Sequence, residues 1–273
     1  SVVKGEAYDL TTSKPVAGAR VTLTKNADGK QVEVAAATAD ADGRFEVTKV
    51  PPGDYQVVAA AEGRATRLLG YAHFGTDTLK RYTVQLSPAV ELKGSVTDDA
   101  GRPVANLAVR AESTMAVDGR GYLTPSPPAA TTDAQGRFTL AGLPKGYCQV
   151  FVSGGGYHQA DLLKVHAVPT ENLTIRVGAT GSIGGKVVTP AGGPPKAPYI
   201  VNLTPEGGNK VSSYGGSATL GPDGTFRFEN VPPGRYTVTA RPNPGRTLEG
   251  IDPNAKTVDV VAGRTAAVEI RGE

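Results

Sequence analysis

The stretch "VPPGRYTVTA" at residues 231–240 has a near twin in "VPPGDYQVVA" at 50–59 and a weaker one in "LPKGYCQVFV" at 143–152. Its chemistry is that of a corner. A proline pair cannot donate to a sheet ladder and ends a strand. Glycine then turns the chain through φ values that other residues resist. After the glycine, period two sends Tyr55, Val57 and Ala59 to one face of a returning strand. Aligned on Gly53, Gly146 and Gly234, the inward slot holds Tyr55, Cys148 and Tyr236, and the outward slot Asp54, Tyr147 and Arg235.

Working outward, the same landmarks recur with a period near 90 residues. Gly5, Gly94 and Gly185 sit in short opening strands ("VVKGEAYD", "ELKGSVTD", "SIGGKVVT"). Gly43, Gly136 and Gly224 each precede an alternating run ("DADGRFEV", "DAQGRFTL", "GPDGTFRF"), whose Phe45, Phe138 and Phe226 point inward. Each copy closes on alternation again, at 81–86, 172–177 and 266–271. Three landmarks in fixed order, three times, override the two domains that a 273-residue length would favour. The expected domains are 1–89, 90–179 and 180–273, joined by linkers too short to let them wander.

About seven strands are expected per copy, which with this spacing makes an all-β fold of tandem antiparallel seven-stranded β-sandwich domains. In copy one they fall near 2–8, 18–24, 32–38, 43–48, 54–61, 66–73 and 80–87. One segment is ambiguous, because Ala65, Leu68, Leu69 and Ala72 fall at helical spacing. The expected structural core is Phe45, Tyr55, Phe138, Cys148, Phe226 and Tyr236, in three separate cores.

Composition agrees. Glycine (35) and proline (21) make up about a fifth of the chain, against the usual ~12%, as many tight turns require. A formal charge of +3, spread evenly, argues against nucleic acid. No apolar stretch approaches the ~20 residues of a membrane span. The chain starts at Ser1 with no leader, as a processed chain or a piece of a longer one would. One cysteine cannot form an internal disulfide.

The pattern G-x-V … P-V … D-x-x-G-R-F … P-P-G-x-Y-x-V resembles the carboxypeptidase regulatory-like domain, a transthyretin-like sandwich related to the B-type repeats of bacterial collagen-binding surface proteins. Copy one carries it on Gly5, Pro15, Val16, Val21, Asp40, Gly43, Phe45, Pro51, Pro52, Gly53 and Tyr55; copy two on Gly94, Val96, Pro103, Val104, Asp133, Gly136, Phe138, Gly146 and Val150; copy three on Gly185, Val187, Asp223, Gly224, Phe226, Pro232, Pro233, Gly234 and Tyr236. The resemblance implies an accessory module, not a chemistry. Some relatives form Lys–Asn or Lys–Asp isopeptide bonds. Lys4, Lys93 and Lys186 lie near the opening strands, but no acid follows the Tyr slot to shuttle the proton, so no such bond is expected.

Catalytic and metal motifs are missing from the pattern. His73, His158 and His166 have no zinc spacing, although His158 and His166 could approach across a hairpin. Asp40 with Asp42, and Asp98 with Asp99, read as turn residues before calcium ligands. Cys148 reads as a small buried hydrophobe. The chain has no tryptophan for a sugar to stack on; Tyr122, Tyr147, Tyr157 and Tyr214 are expected to be exposed but do not recur across copies. The "NLT" sequons at 172–174 and 202–204 read as ordinary strand sequence in a bacterial composition.

Copy two is longer between its second and third strands, and the extra segment, "DGRGYLTPSPP" at 118–128, reads as a polar surface tip and the best functional loop. The reading of the whole is a non-enzymatic extracellular or cell-surface array: a stalk, adhesin segment or fibre subunit with no cofactor. The alternative is an accessory carbohydrate-binding region of a larger secreted enzyme or outer-membrane protein. Expected partners are copies of itself or neighbouring domains of the same polypeptide, with polysaccharide or a surface protein as further candidates. The apolar first strand, "SVVKGEAY", with nothing before it to anchor it, is expected to make a head-to-tail joint with the last, "AAVEIRGE".

Overall fold

The computed structural model describes residues 1–126, 128–159, 161–162, 164–206, 216–242 and 254–272. These hold strands and no helix. Repeat one comprises β1 (Val2–Asp9), β2 (Arg20–Ala27), β3 (Lys30–Thr38), β4 (Arg44–Val47), β5 (Gly53–Ala60), β6 (Arg67–Phe74) and β7 (Leu79–Leu86). They form two sheets, ordered β4-β1-β7 and β3-β2-β5-β6. Repeat two comprises β8 (Ala89–Thr97), β9 (Ala108–Ala116), β10 (Ala129–Thr131), β11 (Arg137–Pro144), β12 (Gly146–Ser153), β13 (Tyr157–Gln159), β14 (Val165–Val168) and β15 (Thr170–Ala179). Its sheets run β11-β8-β15-β13 and β10-β9-β12-β14. Repeat three comprises β16 (Gly181–Val188), β17 (Tyr199–Pro205), β18 (Gly216–Thr219), β19 (Thr225–Val231), β20 (Gly234–Pro242), β21 (Lys256–Val260) and β22 (Thr265–Arg271), in sheets β19-β16-β22 and β18-β17-β20-β21.

The pattern is that of tandem β-sandwiches. One pairing departs from the antiparallel expectation: the first and last strands of repeats one and three, β1 with β7 and β16 with β22, run parallel. The ambiguous segment at 65–72 is strand β6. Between Val58↔Leu68 and Val57↔Gly70 the pairing register shifts, leaving Leu69 as an extra residue. That β-bulge breaks the alternation and produces the helix-like spacing.

The recurring glycines of the opening strands have a steric cause. Gly5 faces Phe45, Gly94 faces Phe138 and Gly185 faces Phe226 across neighbouring strands. A Cβ at Gly5 would stand 2.7 Å from the Phe45 ring and 2.1 Å from the Tyr82 carbonyl oxygen. At Gly94 the distances are 2.8 Å to Phe138 and 2.4 Å to Leu173 O; at Gly185, 2.5 Å to Phe226 and 2.3 Å to Val268 O. Each aromatic ring lies on the bare backbone of its glycine partner, so neither residue can change alone.

The turns before those phenylalanines are also built alike. Asp40 Oδ1 accepts the N–H groups of Asp42 (2.9 Å) and Arg44 (2.8 Å). Asp133 does the same for Gln135 and Arg137, and Asp98, in an earlier turn of repeat two, for Ala100 and Arg102. The backbone N–H groups of Arg102 and Arg137 hold the Asp98 and Asp133 carboxyls below the usual range. Asp40 and Asp98 therefore close turns with their own backbone.

All six expected core residues are buried: Phe45, Tyr55, Phe138, Cys148, Phe226 and Tyr236. The Tyr55 hydroxyl donates to Pro51 O (3.1 Å) and Tyr236 to Pro232 O (2.9 Å), so the ring is tied to the proline corner that precedes it. In repeat two the slot holds Cys148. There the Met115 carbonyl oxygen lies 2.1 Å from where a Gly146 Cβ would stand, a space bordered by the tyrosine ring in the other two copies. Burial pushes the Cys148 thiol up to about 11.

The chain divides into two compact units, and the division runs through repeat two. One holds Ser1–Ser95, Ala108–Phe151 and Leu163–Thr174; the other holds Val96–Leu107, Val152–Leu162 and Ile175–Glu273. Repeats one and three each have a core of their own, the first built from residues between Val3 and Leu86 and the other from residues between Ile183 and Ile270. The first strand differs from the expectation made for it. β1 is the middle strand of its sheet, hydrogen-bonded to β4 and β7, with Val3 and Ala7 fully buried. The Ser1 amino group donates to Val50 O (2.9 Å) and its hydroxyl to Gly75 O (2.8 Å). A strand held on both sides is not free to be donated, so β1 is no head-to-tail joint.

Candidate functional site

Within the first unit, the segment expected to be a polar tip is a plug. After β9 the chain turns at Val117–Gly119 and folds back: Ala116 N–H donates to Arg120 O, and Tyr122 N–H to Thr114 O. This return carries Tyr122 into repeat one, where it is fully buried. It packs in a small cluster with Ala65, Ala116 and Leu10. Its hydroxyl donates to Ala65 O (2.7 Å) and accepts from Ser87 N–H (3.3 Å). The Arg67 guanidinium lies 4.9 Å from the ring centroid. The next residue adds backbone: Leu123 O accepts the Leu68 N–H of β6 at 2.8 Å.

The linker itself is tied down. Ser87 is buried, and its hydroxyl accepts the Lys145 N–H at 2.9 Å. Ala65 N–H donates to Ser87 O and Ala89 N–H to Gly63 O. Beside this, the nearly buried Asp9 pairs with Arg64. Burial raises the Asp9 carboxyl, but hydrogen bonds from Thr11 and Thr12 more than offset it and hold the group well below the usual range. Every polar group on this joint named above has a partner, so the contact has one geometry.

The other expected sites resolve as follows. Tyr147 is half exposed and Tyr157 partly buried, while Tyr214 lies outside the described residues. Sequence reasoning missed Tyr71, which is 78% exposed on β6. His158 lies in β13 and pairs with Gly178, and His166 lies in β14 and pairs with Cys148, so the two belong to different sheets and do not meet across a hairpin. No group of three or more metal-ligating side chains occurs among the described residues. Lys4 and Lys93 are outward and pair with Glu46 (3.1 Å) and Glu91 (3.1 Å), away from the core in which an isopeptide bond would form.

A family model of the carboxypeptidase regulatory-like domain matches residues 2–87 and again 91–178, well over half of the chain. The chain belongs to that family. The match covers the two repeats that share the Tyr122 joint. No curated protein matches the chain. Among solved structures, it is similar to a streptococcal ancillary pilin (14% identity, 100% of this chain and 98% of that one, TM-score 0.34). It is also similar to BcpA, the major pilin subunit of Bacillus cereus (13%, 99% and 98%, 0.27), and to GBS52, the minor pilin of Streptococcus agalactiae (14%, 67% and 96%, 0.33). Scores this low say nothing of what this regulatory-like chain does.

Proposed function

We propose that this chain of carboxypeptidase regulatory-like domains is a non-catalytic spacer on a cell surface or in the extracellular space, built from repeats bounded near 89/90 and 179/180, whose task is to hold what it carries at a fixed orientation. The buried Tyr122 is the observation that supports this. A binding loop would leave its aromatic ring to solvent; here the ring and the linker hydrogen bonds are spent on fixing repeat two against repeat one. The reactive groups point the same way. The only thiol is buried with a raised pKa, and the turn carboxylates accept hydrogen bonds from their own backbone.

The test is the distance between spin labels at Thr83, on β7, and Thr139, on β11, both exposed. A spacer gives one narrow distance distribution, which broadens when Tyr122 becomes alanine. A broad distribution in the unaltered joint removes the spacer reading.

A further inference from the structure

In repeats one and three the first strand and the last lie side by side and run the same way. β1 and β7 pair over eight residues, from Val2↔Leu79 to Asp9↔Leu86, and β16 and β22 over seven, from Ser182↔Thr265 to Val188↔Arg271. That arrangement fixes how tension enters a repeat. A pull along the chain takes hold of the first strand at its start and of the last strand at its end. In a parallel pair those two points lie at opposite ends of the ladder, so the pull runs along the strands. The evenly spaced bonds of the parallel ladder are then loaded together, in shear. Were the two strands antiparallel, the same pull would take both at one end and peel the bonds apart one at a time.

Each ladder closes tightly at its middle and is held at both ends. Gly5 faces Tyr82 in register, and Gly185 faces Val268. A Cβ at Gly5 would stand 2.1 Å from Tyr82 O, and one at Gly185 2.3 Å from Val268 O, so a side chain at either place would wedge the strands apart. Val3 and Ala7 of β1, with Val84 and Leu86 of β7, are fully buried and keep water from one side of the bonds. At the start of the first ladder Val2 N–H donates to Thr78 O (2.9 Å) and Thr78 N–H to the Ser1 hydroxyl (2.9 Å); at its end Leu10 N–H donates to Leu86 O (2.9 Å). In repeat three, Ser182 N–H donates to Arg264 O (3.0 Å) at the start and Gly272 N–H to Val188 O (2.9 Å) at the end. We propose that repeats one and three bear load: each resists unfolding under tension along the chain through a shear clamp made of its own first and last strands. This role rests on the spacer reading, because a connecting element is what takes up tension, but the clamp lies inside a repeat and needs no fixed joint.

The test is the lifetime of repeat one at constant force in optical tweezers, with the full chain held in two ways. One handle is joined through a short extension ahead of Ser1. The other is joined at Ala89→Cys, beyond the end of β7, or at Asp77→Cys, before its start; both positions are exposed. Cys148 is buried and does not compete for the handle. The Ala89 attachment shears the ladder and the Asp77 attachment peels it. Forced unfolding reads the unfolding rate, so the sheared repeat should outlast the peeled one more than about tenfold at the same force. Gly5→Ala, which wedges the ladder, should shorten the sheared lifetime more than the peeled one; if that chain does not fold, the two attachments without it still decide. Equal lifetimes in the two geometries, or a peeled repeat that outlasts the sheared one, overturn the clamp. Equal shortening of both lifetimes by Gly5→Ala overturns the ladder as the barrier. A broad label distance at the joint with a long sheared lifetime removes the fixed orientation and keeps the clamp, whereas a narrow label distance with equal lifetimes does the reverse.

Discussion

At the joint between repeats one and two, a tyrosine ring from one repeat is buried in the other. Between repeats two and three, backbone and hydroxyl groups are hydrogen-bonded. Thr180 donates twice to Gly156 O, from its N–H (2.8 Å) and its hydroxyl (2.7 Å), and accepts Gly263 N–H (2.8 Å). Ser182 and Thr265 share a hydroxyl contact at 2.7 Å. Gly181 fits because a Cβ there would stand 2.5 Å from Val261 O. Both joints fix a short linker with hydrogen bonds, and the first adds the burial of an aromatic ring. A net hydrogen bond contributes about 1 kcal/mol, whereas a buried aromatic ring contributes several. Tyr122 ties repeat two to repeat one by packing, and Thr180 and Ser182 tie the linker to repeat three by hydrogen bonds.

Substitutions rank this contrast. Tyr122→Ala removes the ring and leaves a cavity, and should cost about 3–5 kcal/mol of unfolding free energy in chemical denaturation. A loss under about 1 kcal/mol would mean that the joint does not contribute to folding. Gly94→Ala drives a Cβ into Leu173 O and the Phe138 ring, and should cost about 1–3 kcal/mol as overpacking. Tyr122→Phe keeps the ring but leaves the Ala65 carbonyl without its donor, and falls in the same about 1–3 kcal/mol range. Thr180→Val, at the second joint, should cost only about 1 kcal/mol. If Thr180→Val matched Tyr122→Ala, the two joints would be equivalent and the contrast would fail.

Acid should separate the joints too. The Asp9 carboxyl is held below its ordinary value in the folded chain, so its contribution is complete above the unfolded value near 4 and declines as pH falls below it toward the folded value. The first joint should therefore loosen as pH drops below about 4, seen as faster protease cleavage around Ser87–Pro88. Asp9→Asn should remove most of that pH response. An unchanged response would assign it to other carboxylates.

The strands of repeat one lie within a few residues of where alternation and turn chemistry place them, because Phe45, Tyr55 and their glycines follow local rules. The joint was not legible. Tyr122 sits in a Gly-, Pro- and Asp-rich stretch with no period around it, and its partners Ala65 and Ser87 are 57 and 35 residues away. A local pattern cannot report a burial created by a neighbouring repeat. Tyr71 was hidden for a different reason: the bulge at Leu69–Gly70 breaks the period that would have placed it outward.

Cys148 offers the most direct test of the coupling, since it is buried in repeat two within the first unit and reacts with a thiol reagent only when that repeat opens. Phe45 belongs to the core of repeat one, and Phe45→Ala weakens that repeat by about 3–5 kcal/mol. If Tyr122 locks the repeats together, Phe45→Ala should speed Cys148 labelling more than about tenfold, a shift of more than about 1.4 kcal/mol in opening, and the acceleration should vanish when Tyr122 is also alanine. Cys148 labelling at the native rate in the Phe45→Ala chain would show two repeats that open independently, and would contradict the lock.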